Sequence, residues 1–168
     1  MSKQLSIAVL EEEIKHYDEV FEVDFVGRNG ESYVVKIHPY FKPEKVSATL
    51  REAGDFFNKA KEEKLVVPEF EQEDLIMFFI VKQFTNLKFT RSKKAKKVYS
   101  EFKIAINTPL FAEIVKAFPD ESLEAVYKRM YEIQEKTQEF QEKYVKQAEE
   151  VFAEMKTKNK EIFAPKSE

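Results

Sequence analysis

The chain has 168 residues, of which 43% are hydrophobic, 14% aromatic and 35% charged, with a net charge of −3. This is the composition of a folded domain rather than a disordered one, and it makes no overall electrostatic case for a polyanion partner. Cysteine is absent, which excludes disulfides, thiolate nucleophiles and thiolate metal ligands and fits a reducing cytoplasm.

Taken in chain order, Ile7, Leu10, Ile14 and Tyr17 space apolar side chains for one face of a helix over Ser6 to Asp18. The period then drops to two. Phe21, Val23 and Phe25 alternate with Glu22 and Asp24, and Tyr33, Val35 and Ile37 alternate with Val34 and Lys36, which predicts a hairpin. A three-residue loop, Arg28-Asn29-Gly30 with Gly30 left-handed, would pair Phe25 with Tyr33, Val23 with Val35 and Phe21 with Ile37. A two-residue turn at Asn29-Gly30 would mix the faces, so the longer loop is expected. A lone hairpin is marginal in water, so it must lie on helices or pair with another copy.

His38-Pro39-Tyr40-Phe41-Lys42-Pro43 ends the second strand, and Pro43 suits the first turn of a helix. That helix is expected to reach about Lys64, with Val46, Leu50, Ala53, Phe57 and Ala60 inside. After Pro68 a second helix is expected from about Gln72 to Phe89, opened by Glu73 and Asp74 where the helix dipole favours carboxylates. Its segment Leu75 to Val81 is apolar all round, the mark of a helix covered on every side. It is also the longest apolar run and far short of the ~20 residues that cross a bilayer. Met1-Ser2-Lys3-Gln4-Leu5 lacks the pattern of a cleavable leader, so a cytoplasmic protein with no membrane partner is expected.

Two further helices are expected, from about Ser92 to Asn107 and from Pro109 to Phe118, with Thr108 as a cap and Pro109 in a first turn. From Pro119 to Phe163 there is neither glycine nor a further proline, and a helix of that length would run about 65 Å. Along it Leu123, Val126, Met130, Ile133, Thr137, Phe140 and Tyr144 keep the three-four alternation of a coiled-coil seam. Beyond Tyr144 the seam resumes one turn out of phase at Ala148, Val151, Met155, Asn159 and Ile162, a four-residue stutter. The final Ala164 to Glu168 reads as frayed.

The expected architecture is mainly α within the α+β class: a helical domain with one N-terminal β-hairpin and a long C-terminal helix. Residues 1–118 would hold the hairpin and the helical core. Residues 119–168 would form the long helix of the same domain, its distal half protruding. Sixteen phenylalanines without a tryptophan suggest aromatic plugs between helices.

No pattern of residues points to catalysis. His16 and His38 lie on different elements without a carboxylate at ligand spacing, so neither a metal nor a cofactor is expected. Close carboxylates such as Glu12-Glu13 and Glu149-Glu150 read as solvated helix faces. With three glycines there is no phosphate-cradling loop and no Gly-x-Ser-x-Gly turn, so the chain is not expected to be an enzyme. Two surfaces remain. Arg91, Lys93, Lys94, Lys96 and Lys97 could neutralise phosphates, although Ala95, Val98 and Phe102 give the same segment an apolar stripe, so the lysines equally suit its solvent side. Phe140, Tyr144, Val151, Phe152, Met155, Ile162 and Phe163 form an apolar surface suited to a second copy or a partner helix. An oligomer is expected, because the hairpin edges and the long helix both offer self-association surfaces.

Two segments carry a family likeness. Ser32-Tyr33-Val34-Val35-Lys36-Ile37-His38-Pro39-Tyr40-Phe41-Lys42-Pro43-Glu44-Lys45-Val46 is a strand leading into a proline-started helix. Glu73-Asp74-Leu75-Ile76-Met77-Phe78-Phe79-Ile80-Val81-Lys82-Gln83-Phe84-Thr85-Asn86-Leu87 is the apolar helix that follows. With the helical remainder, this order resembles the tail assembly chaperones of long-tailed phages and prophages of Gram-positive bacteria. The resemblance implies a non-enzymatic protein of the host cytoplasm that binds the tape measure protein and keeps it soluble during tail assembly. In that family a longer product often arises by translational frameshifting. The family has no fixed ligand motif to carry over, and its pattern assigns no role to the cluster at Arg91 to Lys97. The alternative expectation is a nucleic-acid-binding regulator that uses that cluster.

Overall fold

The period-two segment folds into antiparallel strands β1 (Phe21–Val26) and β2 (Ser32–Ile37). Phe21 lies opposite Ile37, Val23 opposite Val35 and Phe25 opposite Tyr33, as the alternation requires. The computed structural model describes the backbone of residues 4–154 and the side chains of residues 4–150. Gly27 N–H donates to the Glu31 carbonyl at 2.9 Å, which closes a three-residue loop, and Gly30 takes φ = 79°. A left-handed backbone there is open to glycine at little cost.

The hairpin lies on the helices rather than standing alone. Val35 and Ile37 are buried against the helices, and the outer edge of β2 is covered by the chain at residues 84–86. His38 N–H donates to the Phe84 carbonyl at 2.8 Å, Asn86 N–H to the Lys36 carbonyl at 3.0 Å, and Lys36 N–H to Asn86 Oδ1 at 2.9 Å. Of the two edges expected to be open, that of β2 is therefore occupied.

Ahead of the hairpin, α1 (Ile7–Glu13) is shorter than the expected helix, because Ile14–Asp18 tightens into a 3-10 turn. Ile7 and Leu10 on α1 and Ile14 at the start of the turn are exposed. Periodicity gave them a common face but could not say whether anything covers it.

Pro43 occupies the first turn of α2 (Pro43–Glu62). Its buried positions are Val46, Thr49, Ala53, Phe56 and Ala60, so Leu50 and Phe57, expected inside, sit at the margins of the face. Thr49 is tolerated there because its hydroxyl donates to the Lys45 carbonyl at 2.8 Å. Helix α3 (Gln72–Phe84) stops five residues before the expected end. Thr85 turns extended and pairs with Ile37, so backbone bonds to β2 replace another turn of helix. The apolar run of α3 is central, as expected: Leu75, Phe78, Phe79, Ile80 and Val81 are buried, while Ile76 and Met77 are half-buried. Leu75, Phe78 and Phe79 face one cluster with Phe56, Ala95 and Phe102, while Ile80, Val81 and Phe84 face another with Ile37, Phe41 and Ile114.

Helices α4 (Ala95–Ile106) and α5 (Pro109–Ala117) follow, and the Thr108 hydroxyl accepts the Phe111 N–H at the start of α5. The last helix, α6, spans Asp120–Glu154. Two compact units divide the chain, one ending at Arg129 and the other beginning at Met130. In the first unit, the α6 residues Leu123 and Val126 pack into the cluster around Ile114 and Phe118.

Candidate interaction surfaces

In the second unit the seam continues along α6 without burial. Phe140 is 63% exposed, Tyr144 64% and Val145 59%, and the rings of Phe140 and Tyr144 stand 5.4 Å apart. Together with Gln141 and Ala148 they line a shallow apolar hollow. At about 100° per residue, Gln134 and Gln141 flank one side of the seam and Lys136 and Lys143 the other. Glu135, Glu139 and Glu142 fall toward the opposite face. Of the other candidates, Val151 and Phe152 have backbone on α6 but side chains outside the described residues, and Met155, Ile162 and Phe163 lie wholly outside them.

The five cations of the basic cluster are divided between a loop and a helix. Arg91 and Lys93 precede α4, Lys94 is its N-cap, and Lys96 and Lys97 are exposed on its first turn. Cations at a helix N-terminus oppose the helix dipole, and a carboxylate from elsewhere offsets them. Glu63 accepts the backbone N–H of Ala95 at 2.9 Å and of Lys96 at 3.0 Å. These bonds, the one from Lys96 foremost, hold its carboxyl below the usual range, and the charges of Lys96 and Lys94 act in the same direction. This cap also explains why α4 starts at Ala95 rather than near Ser92. Ala95, Val98 and Phe102 are buried beneath it.

A second polar group joins the turn before α3 to α4. Lys103 Nζ donates to Glu71 Oε1 at 2.5 Å, and the Tyr99 hydroxyl donates to Glu71 Oε2. Lys103, then Tyr99, hold the Glu71 carboxyl below its usual range. The same bond, with burial, pushes the Tyr99 hydroxyl up to about 12. Glu71 is buried and its partners are complete, so the group acts as a clamp. Tyr99 is committed to it, which leaves that ring poorly placed for stacking on a base. No signal in the sequence singled out Glu63 or Glu71, because their partners lie 28 to 33 residues away.

His16 is exposed, and its Nδ1 donates to the Glu13 carbonyl at 2.6 Å. His38 is half-buried, with a buried Nδ1 that has no partner among the described residues. Among those residues, no three histidines or carboxylates are grouped to hold a metal ion, and no helix is long and apolar enough to cross a membrane.

The fold and these surfaces define a mainly helical protein with an N-terminal hairpin and exposed amphipathic helix. The YomO family profile matches residues 7–164, and the chain belongs to the YomO family. It is similar to the SPbeta prophage-derived uncharacterized protein YomO of Bacillus subtilis (strain 168), at 28% identity over 123 residues. That match covers 73% of this chain and 70% of the relative. No solved structure matches the chain.

Proposed function

We propose that this protein is a non-enzymatic assembly protein of prophage origin that acts in the bacterial cytoplasm by holding a helical protein partner along α6 beyond Arg129. The observation that carries this reading is the row of Phe140, Tyr144 and Val145, each more than half exposed on one helix. Exposed apolar surface of this kind is costly in water unless something covers it for part of the time. An amphipathic helix presents its seam to another helix by the alternating three-four spacing that Ile133, Thr137, Phe140 and Tyr144 keep, with Val145 at its margin. The prophage origin of the Bacillus subtilis relative supports the phage setting. Within that setting the resemblance to tail assembly chaperones narrows the partner to a tape measure protein, whose long apolar helices need cover before the tail tube encloses them.

Co-expression with the tape measure protein of the same phage region tests this. The expected result is a soluble tape measure that co-purifies with the chain and is lost to the insoluble fraction when Phe140→Glu and Tyr144→Glu are introduced together. A tape measure that is equally soluble with either version, or with neither, would overturn the reading.

A further inference from the structure

Between α2, α3 and the segment that joins α3 to α4, the first unit holds an open cleft of about 710 Å³, within the roughly 300–1,000 Å³ of sites that accept a ligand or anchoring side chains. Its floor is apolar. Phe56, Phe79 and Val98 show little more than an edge to solvent, and Phe89 is half-buried. Its walls are cationic: Lys59 comes from α2, and Lys88, Arg91 and Lys93 from the joining segment.

Pairing within the walls leaves most of that charge unanswered. Lys82 is bound to Glu52 at 2.5 Å and sits 6.0 Å over the Phe79 ring. Among the described residues, Lys59, Lys88, Arg91 and Lys93 form no salt bridge. Asp55 is the one other carboxylate in the lining. Four cations therefore face one carboxylate, in a chain whose net charge is −3. Repulsion among gathered like charges opposes folding, and low-dielectric walls strengthen their field toward the cleft. An anionic occupant relieves both.

We infer that this cleft docks a short acidic segment of a partner protein, which sets carboxylates against Lys59, Lys88, Arg91 and Lys93 and a bulky apolar side chain on the phenylalanine floor. Charge complementarity selects this occupant. The seam of α6 from a second copy is flanked by Lys136 and Lys143, with its glutamates on the far face, and would bring lysine against lysine. Phe56 and Phe79 are more than nine-tenths buried, so they offer edges at the floor of the cleft and no open ring face on which successive bases could stack. The site lies wholly in the first unit and goes beyond the α6 reading.

A random peptide library displayed on phage and selected on the immobilised full chain tests it. The expected result is a pool enriched in Asp and Glu beside Phe, Leu or Met. A synthetic peptide from that pool should bind at least tenfold more weakly to a chain carrying Lys88→Glu, Arg91→Glu and Lys93→Glu together, and should weaken as salt rises from roughly 0.05 to 0.5 M. The three side chains are exposed and form no salt bridge among the described residues, so thermal unfolding of this variant should match the parent. A second variant, Lys59→Gln with Arg91→Gln, reads the same loss without reversing charge. Failure of any acidic pool to enrich, or undiminished binding to both variants, would overturn the inference. So would a fluorescent twelve-residue oligothymidine that binds tighter than the best peptide and loses binding in the same variants. Because no tape measure protein is used, this outcome is independent of the α6 test.

Discussion

The hydroxyl of Ser122 donates to the carbonyl of Pro39 at 2.6 Å, in a buried contact between residues 83 apart in sequence. It ties the first turn of α6 to the segment that leaves β2, where neither Pro39 nor Pro43 has an N–H to contribute to such ties. A buried carbonyl left without a donor costs about 1–3 kcal/mol. Ser122→Ala should therefore lower the unfolding free energy by about that amount, read as a shift in urea midpoint with an unchanged m-value. No change in midpoint would show that water replaces the hydroxyl.

Phe78 and Phe140 should separate core from surface. Phe78 is fully buried and packs edge-on against Phe79, Phe89 and Phe102, whereas Phe140 is mostly exposed. Phe78→Ala should cost about 3–5 kcal/mol, a large share of the roughly 5–15 kcal/mol that holds a domain together. Phe140→Ala should change stability by no more than about 0.5 kcal/mol. Chemical denaturation of both variants checks the contrast, and an equal loss in each would mean that Phe140 is buried in solution.

Acid should weaken the first unit through Glu63 and Glu71. Both carboxyls are held below their ordinary value near 4.5. A depressed carboxyl contributes stability above the unfolded value and loses it as pH falls through the folded one. Melting temperature should fall as pH drops below about 4.5, and less steeply for Glu71→Gln, which starts from a lower plateau. Tyr99 works in the other direction. Its hydroxyl sits at about 12 rather than 10, so its contribution is complete below pH 10 and is lost as pH rises toward 12. Tyr99→Phe should flatten that alkaline limb, and an unchanged limb would rule out the Glu71 bond.

Gly30 tests the hairpin loop. At φ = 79° an alanine is strained although nothing crowds its Cβ. Gly30→Ala should cost about 1 kcal/mol or somewhat more, and Gly30→Asn less, because asparagine tolerates the left-handed region. Equal stability of the two variants would contradict the assigned backbone.

Much of this fold was legible from local rules because local rules decide it. A one-residue slip of the hairpin would have put Phe25 and Val23 on the wrong face, so alternation alone selected the pairing with Tyr33 and Val35. The run Leu75 to Val81 had no polar side to offer solvent, so it could only be central. Pro43, Thr108 and Pro109 marked helix starts through their own backbone chemistry. The seam through Phe140 and Tyr144 was equally plain, since helical spacing puts these side chains on one face whatever surrounds them.

Tertiary structure alone decided what depends on partners far along the chain. Periodicity would carry α3 on to about Phe89, but the bonds of Thr85 and Asn86 to β2 end it at Phe84. Glu63 became the cap of α4, and Glu71 the anchor of Tyr99 and Lys103, because packing brought together residues roughly thirty apart. The cluster at Arg91 to Lys97 looked like one patch in sequence. The fold sends Arg91 and Lys93 to a cleft where Lys59 and Lys88 join them, and leaves Lys96 and Lys97 on a helix. Spacing along a chain sets which face a side chain takes, but only the closing of long loops sets which charges share a site.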